Sequence, residues 1–289
     1  MMVNLGANTV HFSVEMLEQY ELARAEVCMG REGTLSSRQK KAIDEIKLAN
    51  ELGIPVSVHL PIFLPPDYKR DYLDAMFLEP DEAQRELSFE MVALNLKLLE
   101  SYEVEYYVLH FPGVILEKEV QELFEERLDE SLERLEVLSR QYNCSILLEY
   151  FGSNVNFYRP EQWIEKLRPY RHLGLLIDTG HLYFASVIWD FDFISVLKML
   201  SDHAEAFHLW TTKGQYAYRE NEFYLKNNHV AIHPEQMKED GWAFDSKTVL
   251  DILKDTSKPL IIEATPLYLG EKYYQNGIVK VASYLKNVK

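Results

Sequence analysis

The sequence predicts an α/β fold, a single (β/α)₈ barrel, from three observations. Eight short apolar runs, most of them rich in Val, Ile, Leu and Tyr, recur along the chain. Longer segments with the apolar spacing of amphipathic helices separate these runs. Most of the runs end in Asp, Glu or His. A regular alternation of strand and helix predicts a parallel sheet, and eight such units predict its closure into a barrel.

The eight runs are too short to be buried helices, so each is predicted to be a strand. In chain order they cover residues 3–7, 23–28, 55–59, 106–110, 145–149, 174–178, 204–209 and 259–263.

Helices are predicted between the strands. Ser36 and Ser37 are the predicted caps of a helix that runs to residue 52, where Gly53 ends it. Asp81 is the predicted start of a helix over residues 82–100. Further helices are predicted over residues 117–142, 161–167, 191–200, 246–253 and 273–285.

The 289 residues show no linker and no change of composition, so we expect one domain over residues 1–289. The longest irregular stretches, residues 60–78 and 211–244, are predicted to be functional loops. The first begins with an apolar, proline-rich segment. It fits an apolar lid over a small substrate better than a wedge into DNA, because few cationic residues surround it.

Charge and cysteine content limit the partners and the compartment. A formal net charge of −16 disfavours nucleic acid and anionic membranes as partners, without excluding nucleic acid. Two cysteines cannot build a disulfide framework, and no leader peptide or membrane span is evident. We therefore expect a cytoplasmic protein with no membrane partner, and a homo-oligomer is left open.

The residues that close the apolar runs carry the functional prediction. In a barrel the carboxyl ends of the strands converge on one face, where active sites lie. Imidazoles and carboxylates gathered there bind zinc or manganese, and a dication relieves the repulsion between neighbouring carboxylates. A single histidine is more often an ordinary core or surface residue, but here the pattern recurs from strand to strand. The predicted ligands at the strand ends are His59, His110, Glu149, Asp178, His208 and Glu263.

Two further residues are assigned near this set. Gly180 is predicted to permit a tight turn, so that His181 points into the same mouth as Asp178. Glu26 lies within the apolar run of residues 23–28 and not clearly at its end. Its role is left open between a salt bridge and a substrate contact.

Four segments carry a family resemblance. They are residues 109–113 (LHFPG), 174–181 (GLLIDTGH), 207–213 (FHLWTTK) and 260–266 (LIIEATP). With them the sequence resembles the xylose isomerase-like barrel superfamily, which includes sugar isomerases, sugar epimerases and endonuclease IV.

The resemblance implies two ligand sets. Sugar isomerases and epimerases of this kind hold one metal ion, and the matching residues here are Glu149, Asp178, His208 and Glu263. Endonuclease IV holds three zinc ions, with extra ligands that resemble His59, His110 and His181 and an Asp-x-His pair. The expected cofactor is therefore one to three Zn²⁺ or Mn²⁺ ions.

The sequence departs from endonuclease IV in the second long connection. Asn227-Asn-His229 stands where the Asp-x-His pair is expected, so a carboxylate is replaced by an amide. In an extended segment His229 and His233 are ~13 Å apart, at about 3.3 Å per residue, which is too far to share an ion. His229 is predicted to be a ligand, and His233 a substrate contact.

Three functions compete. The leading hypothesis is a metal-dependent isomerase or epimerase of a sugar, sugar phosphate or polyol, with proton transfer through a metal-stabilised enediolate. Glu149 and Glu263 are then the acid–base pair, and Lys213 and His181 steady the oxyanion. The alternative is an endonuclease IV-like phosphodiesterase acting on abasic DNA. A barrel that only binds its ligand is the third.

Overall fold

The structure is a computed structural model that describes residues 4–30, 32–66, 68, 76–113, 119–213, 217–219, 222–224 and 229–287. Eight parallel strands form a closed barrel, and helices alternate with them. The fold class predicted from the sequence is confirmed. A separate two-stranded antiparallel sheet follows the seventh barrel strand.

The described residues contain ten strands, in chain order β1 (Leu5–Asn8), β2 (Arg24–Cys28), β3 (Val56–His59), β4 (Tyr107–Phe111), β5 (Ile146–Tyr150), β6 (Leu173–Asp178), β7 (Ala206–Leu209), β8 (Ala217–Arg219), β9 (Glu222–Tyr224) and β10 (Leu260–Ile262). Strands β8 and β9 form the small sheet, and the barrel order is β1-β10-β7-β6-β5-β4-β3-β2. All eight predicted strands are present, with ends that differ by no more than two residues.

In the part of the chain that the structure describes there are eight α-helices: α1 (Leu35–Leu52), α2 (Glu82–Leu99), α3 (Phe124–Gln141), α4 (Pro160–Leu167), α5 (Thr179–Ile188), α6 (Phe193–Ser201), α7 (Ser246–Leu253) and α8 (Glu271–Asn287). Seven of them match predicted helices. The prediction missed α5.

Local sequence explains where the helices begin and end. The side chain of Thr34 caps α1 by accepting a hydrogen bond from the Ser37 N–H at 3.2 Å, so the predicted caps Ser36 and Ser37 were wrong. Gly53 ends α1 in the left-handed conformation at φ 64°, as predicted. Asp81 caps α2 through a 2.9 Å bond from the Ala83 N–H.

The start of α3 also differs from the prediction. The sequence pattern placed it at residue 117, but the helix begins at Phe124, directly after Leu123 in the left-handed conformation at φ 59°. Residues 114–118 lie outside the described residues.

The chain divides into two compact units, residues 26–176 and residues 1–25 with 177–289. In the first unit β4 pairs with β3 and β5, and His110 lies in register with Glu149. Its buried aromatic cluster includes Phe111, Phe157 and Trp163. That residues 1–289 form one domain stays a prediction.

In the second unit β10 pairs with β1 and β7, and Ile261 lies in register with His208. Trp210, Phe207 and Tyr274 are among its largest buried side chains. Within the described residues, no helix is long and apolar enough to cross a membrane.

Candidate metal centre

In the unit of residues 26–176, two histidines and a glutamate converge. His59 is the last residue of β3, and His110 and Glu149 are the penultimate residues of β4 and β5. Oε2 of Glu149 lies 3.2 Å from Nε2 of His59 and 3.2 Å from Nε2 of His110. The structure brings these three predicted ligands together, with donor atoms within 4.8 Å of one another.

The hydrogen bonds of His59 indicate what this set can hold. Its Nδ1 lies 3.1 Å from the Leu60 carbonyl, so Nδ1 carries the proton and donates it there. In a neutral ring the Nε2 lone pair then faces the buried Glu149 carboxylate. Both groups are hydrogen-bond acceptors, and no proton lies between them. A cation between them removes the conflict, and a ligating histidine typically donates its other N–H in this way.

The alternative is to protonate the histidines. The rings of His59 and His110 lie 4.6 Å apart between centroids, so two imidazolium ions would repel each other at short range. A divalent metal ion held by His59, His110 and Glu149 would avoid that cost. The donors therefore fit a divalent metal ion.

Glu26 lies in the same unit, on β2. It is fully buried, and Oε2 accepts a hydrogen bond from the Ser57 hydroxyl at 3.2 Å. Glu26 lies two residues before the end of β2, which explains why it did not mark the end of the strand in the sequence.

In the unit of residues 1–25 and 177–289, a second set gathers on three strands. Asp178 ends β6, His208 is the penultimate residue of β7, and Glu263 directly follows β10. Nδ1 of His208 lies 3.0 Å from Oε2 of Glu263 and 3.8 Å from Oδ2 of Asp178. The donor atoms of the three lie within 4.8 Å of one another, so these predicted ligands also meet.

The members of this set differ in solvent exposure. Asp178 and His208 are fully buried, whereas the Glu263 side chain is 20 % exposed. Two carboxylates beside one imidazole leave excess negative charge in a buried place, which a dication offsets.

Asp178 is oriented by two hydrogen bonds. As the N-cap of α5 it accepts from the His181 N–H at Oδ1 (2.7 Å), and its Oδ2 accepts from Nε1 of Trp210 (2.6 Å). The predicted tight turn at Gly180 was wrong, because a helix begins directly after the strand. Gly180 is needed for packing instead, since a Cβ there would lie 2.2 Å from the Trp210 ring.

His181 and His229 meet at the same indole. The His229 ring stacks on Trp210 with centroids 4.0 Å apart, and it lies 5.9 Å from the His181 ring. The structure thus brings together two of the four histidines predicted as additional ligands. Asn227, where the sequence departs from endonuclease IV, lies outside the described residues.

Lys213 and His233 have other neighbours. Nζ of Lys213 lies 4.9 Å from the centroid of the Trp242 ring. His233 is buried against α8, with its ring centroid 4.4 Å from that of Tyr273, and burial lowers its pKa. A nearby Lys280 lowers the pKa of His233 further.

Sequence reasoning missed two contacts in this unit. Trp210 bonds to Asp178, and the Thr265 hydroxyl lies 3.1 Å from Nε2 of His11, to which no role was given. Trp210 lies in the segment FHLWTTK, which carries part of the family resemblance. A tryptophan two residues after a histidine does not, however, indicate which acceptor its N–H reaches. The contact between His11 and Thr265 joins residues 254 positions apart, which no local pattern reveals.

Fold and residue types together define a class: (β/α)₈ barrels with imidazole and carboxylate groups at the carboxyl ends of their strands. The family described as xylose isomerase-like TIM barrel matches residues 26–278. The chain belongs to this family.

Solved structures of similar fold include an epimerase-like protein, a zinc-bound protein and an endonuclease IV. A D-tagatose 3-epimerase-like protein is 20% identical, covers 98% of this chain and 95% of its own, and has a TM-score of 0.62. The IOLI protein with a bound zinc atom is 17% identical, with 98% and 96% covered and a TM-score of 0.64. Endonuclease IV from Thermus thermophilus is 16% identical, with 99% and 99% covered and a TM-score of 0.59. No curated protein matches the sequence.

Proposed function

We propose that the protein is a divalent-metal-dependent isomerase or epimerase of a sugar, sugar phosphate or polyol. The observation that carries the proposal is the convergence of Asp178, His208 and Glu263, two carboxylates and an imidazole from three strands. Membership of the xylose isomerase-like family and similarity to an epimerase-like structure support it.

We also propose Glu149 as a metal ligand, as the family resemblance implies. Nitrogen and oxygen donors of this kind suit Zn²⁺ or Mn²⁺. A bound dication would polarise a substrate carbonyl and so make the neighbouring C–H more acidic.

Glu263 and Glu149 are the proposed acid–base pair. Glu263 is the partly exposed member, so it is better placed to take a proton from the carbon next to the carbonyl. Glu149 is fully buried and returns a proton to the substrate. Lys213 and His181 are proposed to neutralise the oxyanion that forms between the two transfers.

The test is proton exchange with solvent. A panel of ketoses and 2-keto acids is incubated with the wild-type chain and Mn²⁺ or Co²⁺ in D₂O, and deuterium incorporation is followed by NMR. Glu263→Gln is expected to slow exchange about 10²- to 10⁴-fold, the usual contribution of a general base.

Glu271→Gln is the matched control, because Glu271 is an exposed glutamate at the start of α8, and it should exchange at the wild-type rate. Failure of the wild-type chain to exchange a proton of any substrate in the panel contradicts the proposal.

A second candidate is endonuclease IV-like phosphodiester hydrolysis. The specific observation in its favour is the set His59, His110 and Glu149, together with the pair His181 and His229, which exceeds what one ion needs. Similarity to endonuclease IV supports it. The net charge of −16 opposes DNA binding.

Two measurements separate the candidates. Metal content near one ion per chain supports the isomerase, and three ions per chain support the hydrolase. Incision of duplex DNA that contains an abasic site, without proton exchange in any ketose, would replace the first proposal with the second. Absence of both DNA binding and cleavage at low salt removes the second candidate.

The proposed partner is a small carbohydrate-like molecule. Cytoplasmic location stays a prediction, and a homo-oligomer stays open.

A further inference from the structure

The Trp210 indole donates a hydrogen bond that orients the Asp178 carboxylate. Its Nε1–H donates to Oδ2 of Asp178 at 2.6 Å, and both residues are fully buried. Because the other oxygen of Asp178 accepts from the His181 N–H, both carboxylate oxygens are held by a hydrogen bond. The plane of the carboxylate is thereby set.

Trp210 is held in place through both its backbone and its ring. The Thr179 hydroxyl donates to the Trp210 carbonyl at 2.9 Å, and the Trp210 N–H donates to that hydroxyl at 3.2 Å. One contact of the ring is with the backbone of Gly180, where no side chain could fit. The ring also stacks with His229, 4.0 Å away and tilted by only 16°.

We propose that Trp210 is a positioning residue for the metal centre: its N–H orients Asp178, and its ring places His229. The inference rests on the proposed metal-dependent function. Packing alone does not require the N–H to meet a carboxylate, since apolar contacts of the ring do not depend on which acceptor its N–H reaches. A hydrogen bond from a buried donor to a ligating carboxylate, by contrast, would set the orientation in which that carboxylate meets the ion.

Trp210→Phe tests the inference, because it keeps an aromatic ring and removes the N–H. Loss of such an outer hydrogen bond typically weakens metal binding about 10- to 100-fold. We expect this loss in Zn²⁺ affinity, measured by competition with a chromophoric chelator. We also expect an altered visible spectrum of the Co²⁺-loaded chain, which a purely structural role would not change.

Trp163→Phe is the matched control. Trp163 is equally buried, and its Nε1–H donates to a backbone carbonyl, that of Phe157, at 3.2 Å. This variant should bind Zn²⁺ like the wild type. Equal Zn²⁺ affinity and equal Co²⁺ spectra for Trp210→Phe and the wild type overturn the inference but leave the proposed function standing. A wild-type chain that binds no divalent metal overturns both.

A measurement on the wild-type chain covers the case in which Trp210→Phe does not fold. The chain has four tryptophans, so Phe variants of the other three assign the indole ¹⁵N–¹H signal of Trp210. We expect this signal to exchange slowly with solvent and to shift on Zn²⁺ titration, while the Trp163 signal stays in place. A Trp210 signal that does not respond to bound Zn²⁺ overturns the inference.

Discussion

Two histidines in the connection between β7 and α7 have different surroundings, although only three residues separate them. His229 has φ 50°, stacks on Trp210 and lies near His181. His233 is in contact with α8, where a Cβ added to Gly277 would lie 3.2 Å from its Nε2. The sequence predicted that the two could not share an ion. The assignment of His233 as a substrate contact stays a prediction, and its neighbours on α8 suggest a structural role.

The buried His233 makes stability depend on pH. Burial and Lys280 lower its pKa in the folded state below the usual value, so the folded chain keeps it neutral where the unfolded chain protonates it. The unfolded state therefore binds more protons below about pH 6.5, and stability falls as the pH decreases from there toward the folded pKa. We expect the free energy of unfolding, measured in urea, to decrease as the pH is lowered from 7.5 to 5.5.

His233→Phe isolates this contribution, because it keeps a ring against Tyr273 and removes the titration. The decrease in the free energy of unfolding should be smaller in the variant than in the wild type. Parallel pH profiles for the two proteins contradict the explanation.

At the scale of helices, capping residues explain which boundaries could be predicted. Asp81 and Gly53 mark the start of α2 and the end of α1 through local geometry, and both were identified from sequence. Helix α5 was missed because Asp178 serves as strand end, N-cap and predicted ligand at once, with no loop before the helix. Its mostly buried residues also lack the polar stripe of a surface helix.

Asp81→Ala tests the capping of α2. The variant loses the acceptor of the Ala83 N–H, and we expect the free energy of unfolding to decrease by about 1 kcal/mol. Asp81→Asn keeps an acceptor oxygen and should remain close to the wild type in the same urea titration. Equal losses in both variants would show that the charge, and not the hydrogen bond, supports the helix.

For the whole molecule, the barrel was predictable because each strand and helix has its own local pattern, and eight repeats leave few alternative architectures. The strand-end residues His110, Glu149 and His208 were predictable for the same reason. The bond from Trp210 to Asp178 and the contact of His233 with α8 were not, because they depend on packing between segments distant in sequence. The net charge of −16 was read directly from composition.

The contact between Gly180 and the Trp210 indole has a consequence for how the family can diverge. With 2.2 Å between a Cβ at position 180 and the ring, a larger residue at 180 requires a smaller one at 210. We therefore expect the residues at the two positions to covary among relatives. A lineage that replaces the tryptophan first gains freedom at position 180, whereas the reverse order passes through a sterically blocked intermediate.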